Sequence, residues 1–290
     1  AGELRWNAYQ DGPLFNDLVG GVRLQHLRVT NNLLFNLEEE GSFVIPYGMF
    51  QAERAGDWSN VQLTIGLEGN TVSHDALTMA RFGAAMNRPD LADRWARLNW
   101  AGSLSFFLEP LLNYESWNDP STPESSTLAH EILIGTSGQF AFNSRLMPQF
   151  QSVAGGPGTN RGYPVAIAAG DNAVNLSAEY RFHVPRIFDI QPEPGVLFGE
   201  SFRSAPQHVY GRPDWDLALL GFVDYSWLTQ NDAFFFESDQ TMLSAGIGLE
   251  LLLKRNMSVR LDWGWALRSL EGGLYDSGHN RLYVQASLSF

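Results

Sequence analysis

The sequence contains no cysteine, which excludes a disulfide framework and any thiolate metal or redox centre. No apolar run approaches the roughly 18 residues that a membrane-spanning helix needs. Positive charge is scarce, with 19 Lys and Arg against 32 Asp and Glu and a net charge of −13. Phosphate recognition needs clustered Lys and Arg, so nucleic acid is a poor partner. Metal ligation finds no support either. The six histidines, His26, His74, His130, His183, His208 and His279, are scattered, and His130-Glu131 lacks the second His of a zinc helix. Gly155-Gly156-Pro157-Gly158 resembles a phosphate loop only in its glycines, because no Gly-Lys-Ser/Thr and no helix follow. Gly135-Thr136-Ser137-Gly138 falls inside a strand pattern rather than at a nucleophile turn. The expectation is a protein without cofactor or covalent chemistry, not an enzyme.

What is abundant is aromatic surface. Aromatic residues make up 13% of the 290, including 9 Trp and 19 Phe, while mean hydropathy is only −0.17. A transmembrane barrel combines these features, since each strand is apolar on its lipid side alone and aromatic girdles mark both interfaces.

The alternation is explicit near the C-terminus. Leu282, Val284, Ala286, Leu288 and Phe290 oppose Tyr283, Gln285, Ser287 and Ser289, the period-2 pattern of a strand between lipid and water. Met257, Val259, Leu261, Trp263, Trp265 and Leu267 repeat it against Ser258, Arg260, Asp262, Gly264, Ala266 and Arg268. Further strands with one polar face start near Leu243, Leu217 and Val174. Six weaker candidates lie at 3–10, 21–30, 42–53, 61–69, 94–109 and 130–147. A soluble sandwich also alternates, but it seldom repeats Trp and Tyr along its apolar face. The fold class is therefore all-β, a transmembrane antiparallel β-barrel, with residues 1–290 forming one barrel domain or the C-terminal part of one. Bacterial single-chain barrels usually carry an even strand number, so about 12 are expected, the twelfth within 31–40 or 195–202. The alternative is that strands N-terminal to Ala1 complete a larger barrel of about 16. If the protein is exported, this sequence is expected to be the processed form or a fragment. Residues 74–87 read as a short helix within a loop, with a plain loop helix favoured over a membrane-surface or lumenal one. If Phe290 ends at the periplasmic rim, 148–173 becomes a long extracellular loop and Lys254-Arg255-Asn256 a tight periplasmic turn. The long, Pro-rich segment 185–215 falls on the periplasmic side, where turns are usually short.

Within the long loop, Gly155-Gly156 precedes Arg161-Gly162-Tyr163, and Gly170-Asp171 opens the returning strand. Further on stand Gly221-Phe222-Val223-Asp224 and Gly246-Ile247-Gly248-Leu249. Over roughly 139–290 this pattern resembles the polypeptide-transporting barrels of the outer membrane, namely the two-partner secretion transporters (TpsB type) and their BamA relatives. In that superfamily a Gly-Gly pair precedes Val-Arg-Gly-Tyr/Phe on an extracellular loop that folds back into the lumen. Gln139 and Phe150 fit the approach to that loop, whereas Asn160 stands where Val is usual. The family barrel has about sixteen strands. The periplasmic polypeptide-binding (POTRA) domains that normally precede it are not recognisable.

The resemblance implies that Arg161 pairs with the lumenal Asp224, with Phe222 on the same strand, and that Phe290 carries the insertion signal. It also implies an outer-membrane location, lipid contact, a secreted or inserted polypeptide as substrate, and possible partner chains supplying periplasmic domains. The alternation places Asp224 toward the lumen, and strand parity places Arg161 on an extracellular loop, both without the family's help. Taken alone, Arg161 reads as a solvated loop residue and Asp224 as one lumenal charge beside Glu179, Glu250 and Asp262. The rival function is a passive pore or structural barrel, in which the acidic lumen would favour cations. A transport plug needs loop 148–173 docked inside, while a simple pore leaves it at the rim.

The alternation makes the two faces unequal in their tolerance of charge. Leu261→Arg or Val284→Arg is expected to cost about 2–4 kcal/mol near the bilayer midplane, and Ser258→Arg or Ser287→Arg far less. Folding titrations into lipid vesicles measure the difference, and equal effects on both faces would refute the assignment.

Overall fold

The computed structural model describes residues 1–31, 37–119, 121, 128–197, 199–254 and 256–289. Phe290, Arg255 and residues 32–36, part of the 31–40 candidate for a twelfth strand, lie outside the described residues. The strands in chain order are β1 (Gly2–Asp11), β2 (Leu14–Asn31), β3 (Leu37–Ala55), β4 (Ser59–Asn70), β5 (Trp95–Phe107), β6 (His130–Phe140), β7 (Ser152–Ala154) and β8 (Ala168–Gly170). They continue as β9 (Asn172–His183), β10 (Gly195–Leu197), β11 (Glu200–Phe202), β12 (Trp215–Thr229), β13 (Gln240–Leu253), β14 (Met257–Ala266) and β15 (Asn280–Leu288).

Eleven of these form one antiparallel sheet in the order β1-β2-β3-β4-β5-β6-β9-β12-β13-β14-β15. Each coincides with a segment marked by the alternation. Among the described residues the sheet holds eleven strands, against the twelve or so expected. The 195–202 candidate is the small β10–β11 hairpin, which stands apart from the sheet. The 130–147 candidate stops at Phe140, because positive φ at Phe142 and Asn143 turns the chain away. β2 and β3 run longer than expected, from Leu14 and to Ala55, paired along their whole length. Among the described residues, β1 and β15 are the sheet's edges and do not pair with each other.

The two faces separate as the pattern requires. Leu176, Leu219, Val223, Ile247, Trp263, Leu282 and Val284 are all exposed on the outer face. On the inner face Arg260 of β14 donates to Glu179 of β9 at 2.7 Å, although β12 and β13 lie between them. In a flat sheet three strand spacings would separate those strands by about 14 Å. The sheet curls inward there.

Antiparallel order places the 70–95, 140–172, 229–240 and 266–280 connections at one rim, and the 11–14 and 55–59 connections at the opposite rim. The first rim is filled by packing. α1 (Ala76–Ala85) starts at Asp75, whose carboxylate accepts the N–H groups of Leu77 and Thr78 at 3.0 Å each. Its Met79 and Phe82 pack with Phe43, Ile45, Trp95, Leu146, Met147 and Phe150 in a buried cluster. The 74–87 helix is thus no plain loop helix; it covers the inner face of β3. At the opposite rim, described residues of the Pro-rich segment are tied to the start of β12 and the approach to β6. Arg186, buried, donates to the Leu128 carbonyl at 3.0 Å and to Asp216 at 2.7 Å, while Arg203 pairs with Asp214 at 2.6 Å.

Phe82 has no exposed surface, so Phe82→Ala should destabilise this cap by about 3–5 kcal/mol. The expected result is faster proteolysis within 70–95 while the sheet keeps its heat-modifiable form on gels. Unchanged proteolysis would show that the cluster does not hold α1.

Candidate functional site

Strand register turns the inner wall into a grid. One row reads Ser177, Asp224, Ser244, Ala266 across β9, β12, β13 and β14, and the next reads Glu179, Phe222, Gly246, Gly264. The second row ends in two glycines, and their missing side chains make a depression. The Phe222 ring lies over Gly246, where an added Cβ would come within 2.3 Å of the ring. The loop backbone rests on Gly264, where a Cβ would meet the Arg161 carbonyl oxygen at 2.7 Å.

The loop reaches this seat through its own glycines. β7 and β8 pair as its stem. Gly155 and Gly156 have φ of +109° and +90°, conformations that other residues rarely adopt. A Cβ on Gly155 would also lie 2.2 Å from the Pro164 carbonyl oxygen. The tight turn returns through a bridge between Gly156 and Asn160 and presents Arg161 to the wall.

Arg161 is 5% exposed and Asp224 1%. The guanidinium grips the carboxylate through two bonds of 2.8 Å, from Nε and Nη2, and the Arg161 backbone N–H adds a third at 3.0 Å. Its carbon lies 3.4 Å from the Phe222 ring centre, a cation–π contact. Ser177 donates to Asp224 at 2.7 Å. Arg161 also pairs with Glu179 and approaches Asp262 to 3.5 Å. Arg260 bridges Glu179 and Asp262 at 2.7 Å each, and Arg181 pairs with Glu179. Every buried charge in this cluster thus has opposite charges around it, as burial demands.

The neighbours of Arg161 are equally fixed. Asn160 is fully buried and satisfied by the wall: its amide donates to the Asp224 carbonyl at 3.3 Å and accepts from Ser244 at 2.7 Å. An Asn in place of the usual Val is therefore matched by serines opposite. Gly162 passes so close that a Cβ would meet that of Ser244 at 2.5 Å. Tyr163, also fully buried, donates to the Arg268 carbonyl at 2.6 Å and accepts the Leu243 N–H at 3.2 Å. Burial raises the pKa of its phenol and keeps it a neutral donor. Gln139 donates to the carbonyls of Phe150 and Asp171, joining the two ends of the loop, and Phe150 is buried in the α1 cluster.

The structure thus brings Arg161, Gly162, Tyr163, Gly155, Gly156, Phe222 and Asp224 together. Glu179 and Asp262, expected to be ordinary lumenal charges, belong to the same cluster. Sequence reasoning missed the roles of Arg260, Gly246 and Gly264. Alternation marks all three as inward, but only register shows that they share a depression with Asp224.

The class of protein these features define is a large curled antiparallel sheet with a long loop docked on its inner face. The chain is similar to the solved structure of CdiB from Escherichia coli, with a TM-score of 0.64 and 15% identity, over 99% of this chain and 44% of that one. The likeness shows the fold. No family model and no curated protein matches the sequence.

Gly264→Val should push the loop off its seat without changing any charge, at an overpacking cost of about 1–3 kcal/mol. Hydrogen exchange of the Arg161 amide, now bonded to Asp224, is expected to accelerate. Gly221→Val, placed where an added Cβ meets nothing within 4 Å, should leave it unchanged. Equal exchange in both variants would show that the glycine seat does not hold the loop.

Proposed function

We propose that this chain is the barrel of an outer-membrane polypeptide transporter, secreting or inserting proteins, with loop 152–170 as a lumenal plug released for transport. The observation that carries this reading is the two-bond grip of Arg161 on Asp224, deep on the inner wall rather than at the rim. Guanidinium–carboxylate pairing fixes direction as well as charge, which suits a reversible lock. In this reading the loop rim is extracellular and the C-terminus periplasmic. The outer face meets lipid, the substrate is a secreted or inserted polypeptide, and other chains or segments supply periplasmic capture. No covalent step is involved. The chain spans 44% of the CdiB chain, so the activity of a whole transporter is proposed for it through its barrel portion. The docked loop weighs against a passive cation pore, which has no use for a buried lock.

Removing one partner strands the other's charge, at about 3–5 kcal/mol in a dry site and less in a wet lumen. In full-length protein displayed in the outer membrane, Arg161→Ala and Asp224→Ala should each admit a bulky glycopeptide antibiotic and reduce export at least tenfold. The double variant should be little worse than either, as coupled residues behave. Wild-type export and antibiotic exclusion in both single variants would overturn the plug.

A further inference from the structure

A second buried charge cluster lies at the loop rim, separate from the one around Arg161. Asp171, fully buried, stands where the docked loop ends and β9 begins. Its Oδ1 accepts the Leu146 N–H at 3.0 Å and the Gln151 amide at 3.2 Å. Its Oδ2 accepts the Asn231 N–H at 2.8 Å and the Arg88 guanidinium at 2.7 Å. These four donors come from the 70–95, 140–172 and 229–240 connections. Arg88, 5% exposed, also donates to the Leu146 carbonyl at 2.9 Å and pairs with Glu237. Arg145, 1% exposed, donates to the carbonyls of Pro89 at 2.7 Å and of Asn231 and Asp232 at 3.1 Å. It pairs with Glu237 at 2.8 Å and lies 4.9 Å from the Phe234 ring centre. Burial acts to raise the pKa of the Glu237 carboxyl. Hydrogen bonds from Arg145 and the Phe234 N–H, with the charges of both arginines, outweigh it and hold that pKa below the usual range.

Buried ion clusters seldom stabilise a fold more than apolar packing would; their best-attested use is to select one geometry. Here the geometry selected is that of the loop's two stems. Gln151 on the incoming stem bonds to Asp171 on the outgoing stem and to Gln230 at 2.9 Å, and Gln230 donates to the Ala169 carbonyl at 2.6 Å. Fixed stems confine the tip and raise the effective concentration of Arg161 at Asp224; free stems dilute it.

We propose that Asp171, Arg88, Arg145 and Glu237 are positioning residues, a rim latch that ties both stems of the Arg161 loop to the two neighbouring connections. The loop leaves the wall only when the three connections loosen together. The proposal rests on reading the loop as a plug, but it concerns loop position and is tested without transport.

The reporter is Gly158→Cys at the loop tip, where an added Cβ meets nothing within 4 Å and the chain offers no competing thiol. Full-length protein in outer membranes is treated from outside with a membrane-impermeant maleimide. Arg88→Ala, Asp171→Asn and Glu237→Gln should each raise the labelling rate about tenfold while the heat-modifiable band persists. Arg88→Ala combined with Glu237→Gln should label no faster than Arg88→Ala alone. If Asp171→Asn fails to fold, Glu237→Gln decides, because that side chain lies at the edge of the cluster. Wild-type labelling in the folded variants would overturn the latch. Faster labelling with antibiotic exclusion intact, in these variants and in Arg161→Ala, would keep the latch and discard the plug.

Discussion

An arginine cannot be buried alone, and that constraint organises the inner wall. Once Arg161 sits within it, Asp224 must lie opposite, Ser177 and Glu179 must complete the shell, and Arg260 must balance the added acids. The Asn160 and Tyr163 contacts follow from the same placement, since polar atoms carried inward with the guanidinium also need partners. Even the apolar part of the site obeys it: Phe222 presents its ring face to the cation, and Gly246 leaves room for that ring to lie flat.

The strands were legible because a sheet with one apolar and one polar face imposes a rule that one residue in two must satisfy. All eleven lay where the alternation placed them, including the weak ones before Val61. Strand ends were less legible, because the rule lapses where the chain leaves the apolar band. On β2 and β3 the outward positions become His26, Arg28, Glu38 and Glu40, yet pairing continues. The inward positions there, Phe43 and Ile45, are apolar because α1 covers them, which inverts the expected polarity of the wall.

The site divides in the same way. Asp224 was readable from parity and Arg161 from its neighbours in the motif. Arg88 and Arg145 gave no local sign, since their acidic partners lie 83 and 92 residues away and nothing in either segment announces the other. Gly246 and Gly264 read as ordinary strand glycines until register set them side by side. Local sequence states which way a residue points; it does not state what will meet it.

The glycine seat also sets an order of events during biogenesis. Gly264 and Arg260 belong to β14, and Tyr283, which donates to the Tyr163 carbonyl, belongs to β15. A nascent sheet paired only as far as β12 already offers Asp224, but it has no floor beneath Arg161 and no hydroxyl for Tyr163. Docking therefore follows the pairing of β9 with β12 through β15. Until β14 and β15 join, the Arg161 loop has no complete seat, and its polar atoms must find their partners in water.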